Sequence, residues 1–238
     1  MTKDLTLDFI KKKSLYECLD TFDGAYITEN ISRVKSLTAP FIALAQKMIF
    51  GGYIKVRDEY AIFIHTVEFY YHEEEGQEGE IIEDEIVYHR NNRFFNRTVP
   101  YFPLMSLHSH WSGFDITFEN PQKQYRASAL IRKYVIYDLK AHSFIKLETS
   151  SKKDKDYFVG EIKKELFIDS RSSYLQYYLN GFSLDENDSR IVWIDNPNAE
   201  YYDVHPTTRK NAKDHEWAFH YPNKEEYLSY IQNVSLDK

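Results

Sequence analysis

The sequence predicts a single mixed α+β domain with an antiparallel meander in its middle and helices near both ends. Three observations point to this class. Helix-patterned segments stand near both ends of the chain, while runs rich in β-branched and aromatic residues fill the middle. Those runs are joined by short turns, not by the long helical crossovers that parallel strands require. At 238 residues the chain also lies within the roughly 250 that one core supports, so residues 1–238 are read as one domain.

Taken in order, Leu5–Leu19 carries apolar residues at Leu5, Phe9, Ile10, Leu15 and Leu19, which predicts a first helix with Asp4 or Thr6 as its cap. Thr38–Met48 predicts a second: Thr38 is placed to cap, Pro40 sits in the first turn where its missing N–H is harmless, and Gly51-Gly52 stops it. Tyr53–Val56 and Tyr60–Tyr71 form a hairpin around Asp58-Glu59, the second run being a long central strand. Glu73–Glu85 holds two glycines in a like-charge block and reads as a solvated acidic loop. Met105–His110, Phe114–Phe118 and Tyr125–Ile136, turning at Ser112-Gly113 and Asn120-Pro121, make a meander. Residues 150–156 are a polar linker inside the domain. Tyr174–Phe182 predicts a short helix, Arg190–Ile194 and Trp217–Tyr221 short strands, and Lys224–Gln232 a closing helix capped by Asn223.

Composition narrows the function classes. The mean hydropathy of −0.59 and the lack of any apolar run near 18 residues exclude a helical membrane span. Charges interrupt every apolar stretch of the N-terminus, so no secretory leader is read there, and Cys18 alone permits neither an internal disulfide nor a cysteine zinc site. A cytoplasmic location is expected. The net charge of −7 opposes a uniformly basic nucleic-acid surface. Much of that acidity sits in 73–85, however, leaving Arg90, Arg93, Arg97, Arg126, Arg132 and Lys133 to form a positive face. Twenty tyrosines and sixteen phenylalanines suit either an aromatic core or stacking on planar ligands.

The succession Leu44-Ala45-Gln46-Lys47, Gly51-Gly52-Tyr53-Ile54-Lys55-Val56 and Thr66-Val67-Glu68-Phe69-Tyr70 resembles the alkyladenine (3-methyladenine) DNA glycosylases. Those proteins have a leucine-alanine helix, a glycine turn, a hairpin and a strand ending in an acidic motif before a tyrosine. The likeness continues through Asp84–His89, Asn91–Arg97, Ser106–Glu119, Ala129–Arg132 and the Arg209…Trp217–Phe219 elements, spanning roughly Thr38 to Ser229. It departs from the family at Thr66, Phe69, the pocket position near Glu119, and Lys210-Asn211-Ala212.

The resemblance implies an α+β fold of the family's type, a curved antiparallel β-sheet flanked by helices and akin to the formyltransferase C-terminal barrel, and base excision from duplex DNA carrying a damaged purine, with no cofactor. Glu68 would be the catalytic carboxylate that orients and deprotonates water, and its burial at a strand end is expected to raise its carboxyl pKa. Tyr70 and His89 would frame the flipped base and Arg132 would hold the base site. Trp111 would wedge the duplex, and Arg93, Arg97 and Arg209 would contact DNA. Read from the residues alone, Glu68 is equally a strand glutamate paired with an arginine such as Arg132. Two other functions stay open. One is a ligand- or partner-binding module on the same fold. The other is a metal-dependent hydrolase using His108, His110 and Asp115, since His-x-His projects both imidazoles from one strand face.

Overall fold

The computed structural model describes residues 5–24, 32–74, 81–87, 90, 99–110, 113–145, 182–184, 191–209, 215–234 and 236. Among these residues ten strands form one sheet in which every named pairing is antiparallel: β1 Gly52–Val56, β2 Tyr60–Glu73, β3 Ser106–His110, β4 Gly113–Thr117, β5 Tyr125–Asp138, β6 Ser143–Phe144, β7 Phe182–Ser183, β8 Ile191–Asp195, β9 His205–Thr207 and β10 Ala218–His220. The main order is β7-β3-β4-β5-β2-β1-β8, with β10 alongside β2 and β9, and β6 on β5. The sheet curls far enough that the outer ends approach: Leu184, just past β7, accepts a hydrogen bond from the Trp193 N–H of β8 at 3.0 Å. The α+β class and the curved antiparallel sheet are therefore observed.

The helices among the described residues are α1 Leu7–Lys12, α2 Leu15–Thr21, α3 Arg33–Ser36, α4 Thr38–Phe50 and α5 Lys224–Asn233. The single N-terminal helix read from the sequence is broken at Lys13-Ser14, because Ser14 caps α2 in a reciprocal box with Glu17. Thr6 caps α1 and Asn223 caps α5, each through its side chain. Thr38 does not cap α4: α3 runs into it through Leu37, which is itself right-handed helical, so the N-terminal N–H groups already have a preceding turn.

α4 is buried on nearly every face from Pro40 to Phe50. An all-round apolar helix has no solvent side and must be enclosed. Phe41 stacks on Phe69 of β2 with centroids 4.6 Å apart and on Phe22 at 5.4 Å. The one cation inside this helix, Lys47, is neutralised by Asp195 at 2.9 Å. Gly51 and Gly52 are there for space: a β-carbon on Gly52 would lie 2.1 Å from the Ile194 carbonyl oxygen.

The acidic stretch 73–85 is not wholly solvated. Glu73 ends β2 buried against Arg33, Glu74 pairs with Arg126 at 2.7 Å, and Asp84 pairs with Arg209 at 2.7 Å. A like-charge run can enter the interior where each carboxylate meets its own guanidinium. Phe182 lies in a strand, where the sequence suggested the end of a helix. The rest of that segment and the linker 150–156 lie outside the described residues.

Candidate functional site

Alternation along the two longest strands separates the sheet's faces. Phe69 of β2 meets α4, so the neighbouring Glu68 and Tyr70 point to the opposite side. On β5, Ala127, Ala129 and Ile131 share the α4 side, and Arg126, Ser128, Leu130 and Arg132 the other. Register carries the second face across the sheet: Glu68 is opposite Leu130, Leu130 opposite Asp115, and Asp115 opposite His108. The β2–β5 ladder is irregular between Ile64 and Val67, where His65 and Arg132 have no register partner. Local irregularities of this kind re-aim side chains.

The result is a buried ionic layer. Glu68 is 4% exposed, and its Oε2 accepts from Arg132 Nε in an ion pair. Arg132 also donates from Nη2 to the Tyr70 hydroxyl at 3.2 Å. Burial works against the Arg132 charge, but the Glu68 carboxylate outweighs it and raises the guanidinium pKa. Burial first, and Glu68 next, also push the Tyr70 phenol pKa up, so this hydroxyl stays protonated at neutral pH. Asp115, 2% exposed, acts electrostatically on both Arg132 and Tyr70 and belongs to the same cluster.

Behind Tyr70 lies Arg209, its guanidinium 4.5 Å from the centre of the Tyr70 ring and 5.4 Å from that of Trp217. It donates to Asp84 Oδ2 at 2.7 Å and to the Phe69 carbonyl at 3.0 Å, and its Nη2 lies 3.1 Å from His215 Nδ1. Because a guanidinium only donates, His215 Nδ1 must accept there. At 3% exposure Arg209 is an internal brace, which corrects the expectation that it contacts DNA. Arg126, expected on a positive surface, is likewise fully buried, held by Glu74, Glu119 and the carbonyls of Val99 and Pro100. Glu119 thus serves Arg126 and the Phe102 N–H.

Of the residues singled out from the sequence, Glu68, Tyr70 and Arg132 meet directly. His89, Arg93, Arg97 and Trp111 lie outside the described residues, as does the side chain of His110. His108 is 1% exposed and stacked flat on Phe102 at 4.1 Å. Among the described residues no three His, Cys, Asp or Glu side chains are grouped to hold a metal. The sequence reading missed Asp115 as a neighbour of Arg132, Arg126 as an internal residue, and the Asp84–Arg209–His215 brace. For Arg126 a signal existed, since it alternates with Ser128 and Arg132 on one strand face.

Chemically, the cluster offers a carboxylate with one oxygen engaged by Arg132 and the other, Oε1, without a hydrogen bond from any described residue. Such an oxygen can orient a water and accept its proton, while Arg132 and the Tyr70 hydroxyl stabilise developing negative charge or bind a polar ligand edge. Comparisons with protein-family models, with curated proteins and with solved structures found no match to this chain.

Proposed function

We propose that this chain is a hydrolase of the alkyladenine-glycosylase type, releasing alkylated or deaminated purines from duplex DNA after flipping them from the stack. The observation that supports it is the meeting of Glu68 and Tyr70 of β2 with Arg132 of β5 on one polar sheet face, three residues that the resemblance selects from two separate motifs. In this reading Glu68 Oε1 aims water at the anomeric carbon, and Arg132 fixes the other oxygen so that the carboxylate keeps one orientation. A damaged purine is already a good leaving group, so one carboxylate suffices to direct the attack. Tyr70 walls the base site. Neither metal nor cofactor takes part in this chemistry.

A second reading is favoured by one specific contact. Arg209 already covers one face of the Tyr70 ring, and a site whose aromatic wall is stacked from within also fits a module that binds a ligand or partner without cleaving it. The test is to incubate the chain with duplexes carrying hypoxanthine, ethenoadenine or methyladenine, score abasic sites, and repeat with Glu68→Gln. Lesion-dependent abasic sites lost in the variant support excision. Binding without cleavage supports the second reading, and neither cleavage nor salt-dependent binding removes DNA as the substrate.

A further inference from the structure

The ionic face continues past Glu68 as a row of donors. Thr66 of β2 is opposite Lys133 of β5 on one side and His220 of β10 on the other, and His220 is opposite His205 of β9. Directly opposed residues share a sheet face. Phe219 turns towards Phe69, with 5.8 Å between ring centroids, so its neighbours Ala218 and His220 take the Glu68 side. With strands about 4.8 Å apart, the four positions span about 14 Å. His205 is exposed and the other three are half-buried, so solvent reaches the whole row.

No member of the row is acidic, in a chain of net charge −7. Inside the molecule cations meet carboxylates, Arg33 with Glu73, Lys47 with Asp195, Arg126 with Glu74 and Arg209 with Asp84. Here basic groups gather together. The His205 and His220 rings lie 6.1 Å apart, inclined at 57°, close enough to contact one tetrahedral oxyanion. The groups acting on the His220 charge are His205 and Lys133, and no carboxylate is among them. His65, next to Thr66 on β2, is acted on by His220, Lys133 and Lys224 of α5. Burial first, then His205 and Lys133, hold His220 below the ordinary imidazole range. A charge opposed by both effects is restored when an anion arrives beside it. A divalent cation fits less well, because Lys133 stands in the row and no three-ligand group is present among the described residues.

We propose that Lys133, Thr66, His220 and His205 form a binding row for a phosphate group, centred on His220. Thr66 and the imidazoles donate hydrogen bonds, Lys133 supplies charge, and binding draws a proton onto His220. Thr66 stands two residues along β2 from Glu68, about 7 Å, which on the excision reading is where the phosphodiester flanking the nucleotide at Glu68 would lie. The test stands apart from that reading. The full chain is titrated calorimetrically at low salt with tetrathymidylate, which holds no purine to excise, at pH 6 and 7.5 and in two buffers of different protonation heat. Its uncharged methylphosphonate analogue and inorganic phosphate are run beside it. Saturable binding with proton uptake is expected, affinity rising at least about threefold per pH unit on acidification, against a ceiling of about tenfold for one linked proton. His220→Gln should abolish the uptake and lower the affinity at pH 6 about tenfold. Lys133→Gln should weaken binding at both pH values alike and reduce the salt slope by about 0.7, which keeps the row testable if the histidine variant fails to fold. Tighter binding of tetrathymidylate than of inorganic phosphate supports a nucleic-acid backbone as the source, and the reverse a free phosphate. Absence of saturable binding of either, equal binding of the methylphosphonate, or uptake unchanged in His220→Gln would overturn the assignment.

Discussion

Replacing Arg209 by methionine separates an internal brace from a DNA contact. Methionine keeps much of the side chain's length and apolar contact with Tyr70 and Trp217 but removes the donors. Asp84, 2% exposed, then loses the guanidinium 2.7 Å away and keeps only the Ile86 N–H at 3.3 Å. Stranding a buried carboxylate in this way costs about 3–5 kcal/mol, and losing the cation over two rings adds on the order of 1 kcal/mol. Against a typical stability of about 5–15 kcal/mol, Arg209→Met should shift the urea midpoint far down. Adding Asp84→Asn should restore much of the loss, because the stranded charge is gone. Equilibrium urea unfolding followed by tryptophan fluorescence reads both variants. If Arg209→Met changes stability by less than about 1 kcal/mol, and instead lowers the salt slope of DNA binding by about one counterion, then Arg209 reaches phosphate and the reasoning fails.

Two further outcomes follow from local features. Burial, then His220 and Lys133, hold His65 at a pKa of about 4 against its ordinary 6.5. The unfolded chain therefore binds the proton more readily, so stability is complete above pH 6.5 and falls as pH drops towards 4, by up to about 3 kcal/mol from this residue. His65→Gln should flatten that part of a midpoint-versus-pH curve, and an unchanged slope would count against it. At the β1–β2 turn, Arg57 and Asp58 both have left-handed backbones, φ 53° and 55°. Substituting Asn-Gly there should raise thermal stability by about 1–2 kcal/mol, and a loss would mean that the ion pair of Lys55 with Asp58 outweighs the backbone gain.

The sheet was legible in the sequence because its signals are local. Tyr60–Tyr71 and Tyr125–Ile136 show their strand character in β-branched and aromatic content, and the Asn223 cap acts within one helical turn of itself, whereas the Ser14 cap that splits the N-terminal helix was hidden inside one loose apolar pattern. The depth of α4 was less legible: an apolar run such as that from Phe41 to Phe50 has the same pattern whether it borders a core or lies inside one. The site divides in the same way. Glu68, Tyr70 and Arg132 alternate on strands and so declare a shared face once the strands pair. The Asp84–Arg209 contact joins positions 125 residues apart, and no periodicity connects them. Charge density misled for a related reason, since Glu73, Glu74 and Asp84 sit in an acidic run but each finds its own arginine through tertiary structure.

Hydrocarbon and ions occupy opposite sides of the same two long strands, and this lets the molecule be altered along two separate axes. A residue such as Phe69 can be reshaped to soften or stiffen the interior while its neighbour Glu68 keeps its pairing with Arg132. A change at Glu68 alters the ionic face, through Arg132, on the side away from the stacked rings of Phe41 and Phe69. Divergent descendants of this chain are therefore free to exchange chemistries while inheriting one mechanical frame.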